Sequence, residues 1–91
     1  RVFFLSDAES DPDVARQIVK RALPETAGLV AVCYGESENG FRYIVASENV
    51  DLRAALPGIN RALSGRGGGK PGMAEGTFSA SREEIERYFL G

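Results

Sequence analysis

The chain has 91 residues with a 43% hydrophobic share, enough for one compact domain with a core, too few for two, and unlike a disordered composition. No apolar run approaches the roughly 20 residues that span a bilayer. The absence of His excludes His-based triads, imidazole bases and His-ligated zinc within this chain, and the single Cys excludes an intramolecular disulfide.

Residues 2–5 read as a short apolar strand. After a polar stretch at residues 6–10, Asp11 is placed to cap a helix that has Pro12 at its first position and Asp13 near the positive end of its dipole. Val14, Ala15, Ile18, Val19 and Ala22 recur at helical spacing with Arg16, Gln17, Lys20 and Arg21 opposite them, and Pro24 ends the pattern. Residues 29–34 are apolar on both alternating faces, as in a central strand, and Cys33 among them reads as a small buried hydrophobe. Residues 35–40 form a turn cluster with the Asn39-Gly40 signal, and residues 41–46 return as a second strand of an antiparallel hairpin.

A second helix is predicted after Asp51, with Leu52, Ala55, Leu56, Ile59 and Leu63 on one stripe. Pro57-Gly58 inside it either kinks it or splits off its first turn. Residues 64–72 are expected to be a loop, and residues 73–80 a last strand centred on Gly76, Thr77 and Phe78. Ser81 and Glu84 have the spacing of a capping box, followed by a short helix with Ile85, Tyr88 and Phe89 as its apolar stripe. The resulting order is β-α-β-β-α-β-α, an α/β fold in one small domain with a mixed sheet.

Charge is unevenly spread in this chain of net −2: between Leu52 and Ala74 the charged residues are Arg53, Arg61, Arg66 and Lys70, all positive. A basic segment of this kind suits a local phosphate-binding face, and an ordinary solvated surface is the alternative. Gly65, Gly67, Gly68, Gly69 and Gly72 crowd the same stretch. Glycine lets backbone amides approach an anion closely, and Arg66 and Lys70 add charge that such a backbone can use. A tight crossover between helix and strand is the competing explanation.

Two nucleotide-binding motifs nearly match and fail. The glycines at 67, 69 and 72 have dinucleotide-fingerprint spacing, but they follow a helix and include Pro71. A Walker A loop needs Gly at position 64 and Ser or Thr at position 71, where Ser64 and Pro71 stand.

The run from Leu63 to Gly76 resembles the signature of the DHH-associated domain of type 1, found at the C-terminal end of alanyl-tRNA synthetases and alanyl-tRNA editing proteins. Gly67, Gly68, Gly69, Lys70, Pro71, Met73 and Ala74 match its pattern. Gly72 and Glu75 depart from it, standing where aspartate and glutamine are usual, and a carboxylate at 75 is unfavourable beside a phosphate. At motif level the resemblance covers about residues 52–89. It implies a tRNA- or nucleic-acid-binding accessory domain, residues 1–91, of a synthetase-related or editing protein.

The binding residues it implies, together with the charge argument, are Arg61, Arg66, Gly67, Gly68, Gly69, Lys70, Pro71, Met73 and Ala74. No catalytic residue, metal or cofactor is expected, and the partners expected are tRNA and the parent's catalytic or editing domains. The N-terminus opens inside a strand pattern without Met or a signal-peptide layout, so the chain is expected to be the C-terminal part of a longer cytoplasmic protein. Two alternatives differ in class. One is the C-terminal substrate-binding domain of a DHH-family phosphoesterase, against which stand Lys70 in the place of that family's His and the mismatch at Met73-Ala74. The other is an oligomerisation module using Tyr34, Phe41, Tyr43, Tyr88 or Phe89.

Overall fold

The computed structural model describes residues 2–5, 11–25, 28–37, 40–70 and 72–90. Its three helices begin at local caps. Asp11 accepts from Asp13 N at 2.8 Å and Pro12 opens α1 (Pro12–Ala22), which runs into a 3-10 turn at Leu23–Glu25. Asp51 accepts from Arg53 N at 2.9 Å ahead of α2 (Leu52–Ala62). Before α3 (Arg82–Leu90), Glu84 N donates to Ser81 Oγ at 3.2 Å and Ser81 N donates to Glu84 Oε1 at 3.3 Å, the reciprocal pair expected of a capping box.

The strands are β1 (Val2–Phe4), β2 (Val30–Ser37), β3 (Gly40–Ala46), β4 (Gly65–Lys70) and β5 (Met73–Phe78). They make one sheet in the order β1-β2-β3-β5-β4, with β1 parallel to β2 and every other neighbour antiparallel. The α/β class, the mixed sheet and the β2–β3 hairpin are as the sequence indicates. The hairpin is longer than expected: Gly35 and the residues to Ser37 belong to β2, where a register irregularity between Tyr34 and Ser37 coincides with a φ of +63° at Gly35. Asn39 lies outside the described residues, as do residues 6–10.

The principal correction concerns residues 64–72. Residues Gly65–Lys70 are an edge strand, paired to β5 from Gly65↔Phe78 to Lys70↔Met73. Glycine's weak strand preference is a local property, and here a preformed neighbour supplies the ladder. The element order is therefore β-α-β-β-α-β-β-α. Ser64, at φ 51°, makes the left-handed step that turns the chain out of α2 into β4.

Pro57 neither ends α2 nor splits it. Pro57 and Arg53, whose carbonyl loses its helical donor, are both on the exposed side, where water can take the vacated bond.

Helices cover both faces. On one side α1 packs across β2 and β3, burying Ala15 and Val19 against Val30, Val32, Tyr34 and Ile44. On the other, α2 lies over β4 and β5 and α3 reaches β1, enclosing Tyr43, Val45, Phe78, Leu52, Ile59 and Ile85. Of the stripe expected on α3, Ile85 is buried and Phe89 half-buried, but Tyr88 is 43% exposed, its ring set edge-on to Phe89. Because α1 packs mainly on β2 and β3 and reaches β5 only near Met73 and Glu75, the sheet face it shields is open over β4 and the Thr77 end of β5.

Candidate functional site

The glycine strand forms the rim of the sheet. Ser79 N donates to Ser64 O at 3.2 Å, and that pairing continues in the β4–β5 register. Arg66, Gly68 and Lys70 thus point their backbone groups inward to β5, while Gly67 and Gly69 turn theirs to the free edge. Outward amides of alternate residues lie about 6.8 Å apart along a strand.

Why glycine stands here is legible atom by atom. A Cβ at Gly67 would lie 2.4 Å from Glu75 O and 2.6 Å from the Tyr43 hydroxyl, and one at Gly69 would lie 2.4 Å from Met73 O. At Gly76, across from Gly67, it would meet Arg66 O at 2.1 Å. Gly68 differs: nothing lies within 4 Å of the place its Cβ would take. Three of these glycines are required by packing, and one leaves an open face.

On the α2 side, a groove of about 260 Å³ runs between the helix and β4, lined by Arg53, Leu56, Pro57, Asn60 and the three central glycines. Asn60 of that lining accepts from the buried Tyr43 hydroxyl at its Oδ1, at 3.1 Å. Burial pushes the Tyr43 phenol above its usual range, and the Asn60 hydrogen bond partly offsets this. Arg53 is engaged with Asp51, 3.4 Å away, and this contact together with the Arg53 amide holds the Asp51 carboxyl below its ordinary range.

On the opposite, open face stand Arg66, Gly68, Glu75 and Thr77, all exposed. Glu75 accepts from Arg16 of α1 at 3.2 Å, and Arg16 also reaches Asp13 at 3.2 Å. Arg42 of β3 joins this face, because Arg42 pairs with Thr77 and Thr77 with Arg66 in one row across three strands. Among the described residues, Arg42, Arg61 and Arg66 make no ion pair.

The residues singled out in the sequence therefore divide. Gly67, Gly68 and Gly69 form the exposed rim, Arg61 is exposed on the last turn of α2, and Arg66 projects on the side away from that helix. Lys70 ends β4 opposite Met73. Met73 is half-buried beneath the α1 layer, and Ala74 is 1% exposed within the α2 layer, so these two shape the sheet from inside. Pro71 lies outside the described residues; Gly72 beside it accepts at its carbonyl from Ser47 N at 3.2 Å, tying the β4–β5 turn to the end of β3. Sequence reasoning missed Arg42, Asn60 and Thr77. The available signal for Arg42 was its place as the one charged residue in an otherwise apolar strand.

Chemically, this arrangement offers amides and guanidinium groups to an anion. Cys33 is fully buried and its thiol is pushed up to about 12, which leaves no thiolate for nucleophilic work near neutral pH. Among the described residues, no three His, Cys, Asp or Glu side chains cluster so as to hold a metal ion.

The profile of the DHHA1 domain family matches residues 1–88. The chain belongs to the DHHA1 domain family. Among solved structures, this DHHA1 domain shares its fold with the C-Ala domain from Aquifex aeolicus alanyl-tRNA synthetase. The TM-score is 0.65 at 18% identity, over 97% of this chain and 83% of that one. No curated protein gives a significant match. No described helix of the DHHA1 domain is long and apolar enough to cross a membrane.

Proposed function

We propose that this DHHA1 domain is a tRNA-binding accessory module, without chemistry of its own, in a cytoplasmic protein related to alanyl-tRNA synthetases or alanyl-tRNA editing proteins. The observation that carries the reading is the glycine rim: a free strand edge whose Gly67 and Gly69 amides face outward, between Arg66 on one face and Arg61 at the end of α2. Amides and arginines in that arrangement suit phosphate contacts, which position a nucleic acid without reading its sequence. The shared fold with a domain of an alanyl-tRNA synthetase supports the choice of tRNA. Few charges take part, so the isolated domain binds weakly, and the catalytic or editing domains of the parent chain raise the effective concentration.

The test is anisotropy of labelled tRNA titrated at several salt concentrations. Lys70→Ala and Arg66→Ala each weaken binding and flatten the salt slope by about one unit, on tRNA and unrelated RNA alike. Arg82→Ala, whose guanidinium sits 4.5 Å over the Phe4 ring, changes little. Unchanged affinity and slope in both loss variants would make the rim a purely structural edge.

A further inference from the structure

We infer that Arg42, Thr77 and Arg66 form a phosphate clamp on the open face of the sheet, gripping one backbone phosphate of a bound nucleic acid. The inference rests on the proposed function and adds a face and a residue, Arg42, that the glycine motif does not contain. The three residues occupy one cross-strand row, Arg42↔Thr77↔Arg66. Two interstrand spacings put the arginine α-carbons roughly 10 Å apart. The Arg42 side chain runs over Gly35 of β2, and rotating this exposed chain toward Thr77 brings its guanidinium group within reach of an anion shared with Arg66. All three side chains are exposed. The face is uncovered because α1 packs across β2 and β3.

Three observations favour a phosphate as occupant. Neither arginine has an ion-pair partner among the described residues, so no described carboxylate competes with an incoming anion for their donors. The only carboxylate carried by β3, β4 and β5 is Glu75, and Arg16 neutralises it from 3.2 Å. Beside Arg66, Gly68 leaves unoccupied space above the strand, which lets a bulky backbone settle against the sheet. Arginine pairs and a hydroxyl are the donors that match phosphate oxygens in number and geometry. The departure at position 75, a carboxylate in a basic site, thereby becomes tolerable.

The experiment is the same tRNA titration, with Arg42→Ala, Thr77→Val, Arg42→Ala/Arg66→Ala and, as a control away from the row, Arg21→Ala at the end of α1 beside Phe3. The expected result is about fivefold to tenfold weaker binding at ~0.1 M salt for Arg42→Ala, with a salt slope flatter by about one unit. The double variant loses little beyond either single one, because both arginines serve one phosphate. Thr77→Val weakens binding less, and Arg21→Ala leaves it unchanged.

Wild-type affinity in Arg42→Ala alongside weakened Lys70→Ala would overturn the clamp and leave the rim reading intact. Fully additive losses in the double variant, or an equal loss in Arg21→Ala, would also overturn it, showing independent or unspecific charge effects. Absence of binding by the wild-type chain at low salt would remove both readings together.

Discussion

Tyr43 donates its hydroxyl proton to Asn60 Oδ1 across 3.1 Å, and that hydroxyl occupies the space a side chain at position 67 or 76 would need. A contact between the middle of the sheet and α2 thus adds to the close backbone approach of β4 and β5 in requiring glycine at both positions. The same contact holds the helix beside the rim, joining a buried polar pair to the surface on which the proposed function depends.

Glycine substitutions should therefore separate by position. Gly67→Ala and Gly76→Ala force the β4 and β5 backbones apart and should each cost about 1–3 kcal/mol. Gly68→Ala, with open space around it, should unfold within experimental error of the wild type in urea. If Gly68→Ala then binds tRNA more weakly at unchanged stability, close approach to the rim is functional.

Removing the hydroxyl in Tyr43→Phe leaves Asn60 without its donor and should lower stability by about 0.5–1.5 kcal/mol. Chemical denaturation of Tyr43→Phe and Asn60→Ala, singly and combined, would show coupling if the hydrogen bond is the cause.

Pro57→Ala restores an N–H facing the Arg53 carbonyl on the exposed side of α2. The helix should gain about 1–3 kcal/mol, reduced by the greater freedom the variant has when unfolded. A urea midpoint moving lower instead would mean that the proline ring's packing outweighs the missing bond.

Loss of the cap in Ser81→Ala should cost about 0.5–2 kcal/mol and fray the start of α3. Amide hydrogen exchange at Glu84, whose N–H the serine accepts at 3.2 Å, reports it directly.

Alkaline pH should destabilise the fold through two groups. Cys33, raised from 9.0 to about 12, and Tyr43, raised above 10.0, are both held neutral by burial. A folded-state value above the unfolded one means that the stabilisation is complete below the unfolded value. For Cys33 it is lost between about pH 9 and 12. At pH 8 the native thiol should resist a disulfide exchange reagent and react fully only in denaturant; rapid native reaction would contradict its burial.

Local chemistry made much of this fold readable in advance. Asp11 with Pro12, Asp51, and Ser81 with Glu84 mark helix starts because each cap bonds an amide within three residues of itself. The apolar alternation of β2 and β3 likewise reports burial along one segment. Positions 65–70 were not readable in that way: glycine has no intrinsic strand preference, and only the register with β5 and the Tyr43 hydroxyl explain six extended residues there. The same holds for Arg42 and Arg66, 24 residues apart in the chain but in one row of the sheet, two strands from each other. Sequence alone determined the helices, the hairpin and the basic, glycine-rich character of one segment, since these follow from neighbouring residues. Tertiary structure decided that this segment is an edge strand and which cations share a face, since strand order and register come from contacts between distant segments.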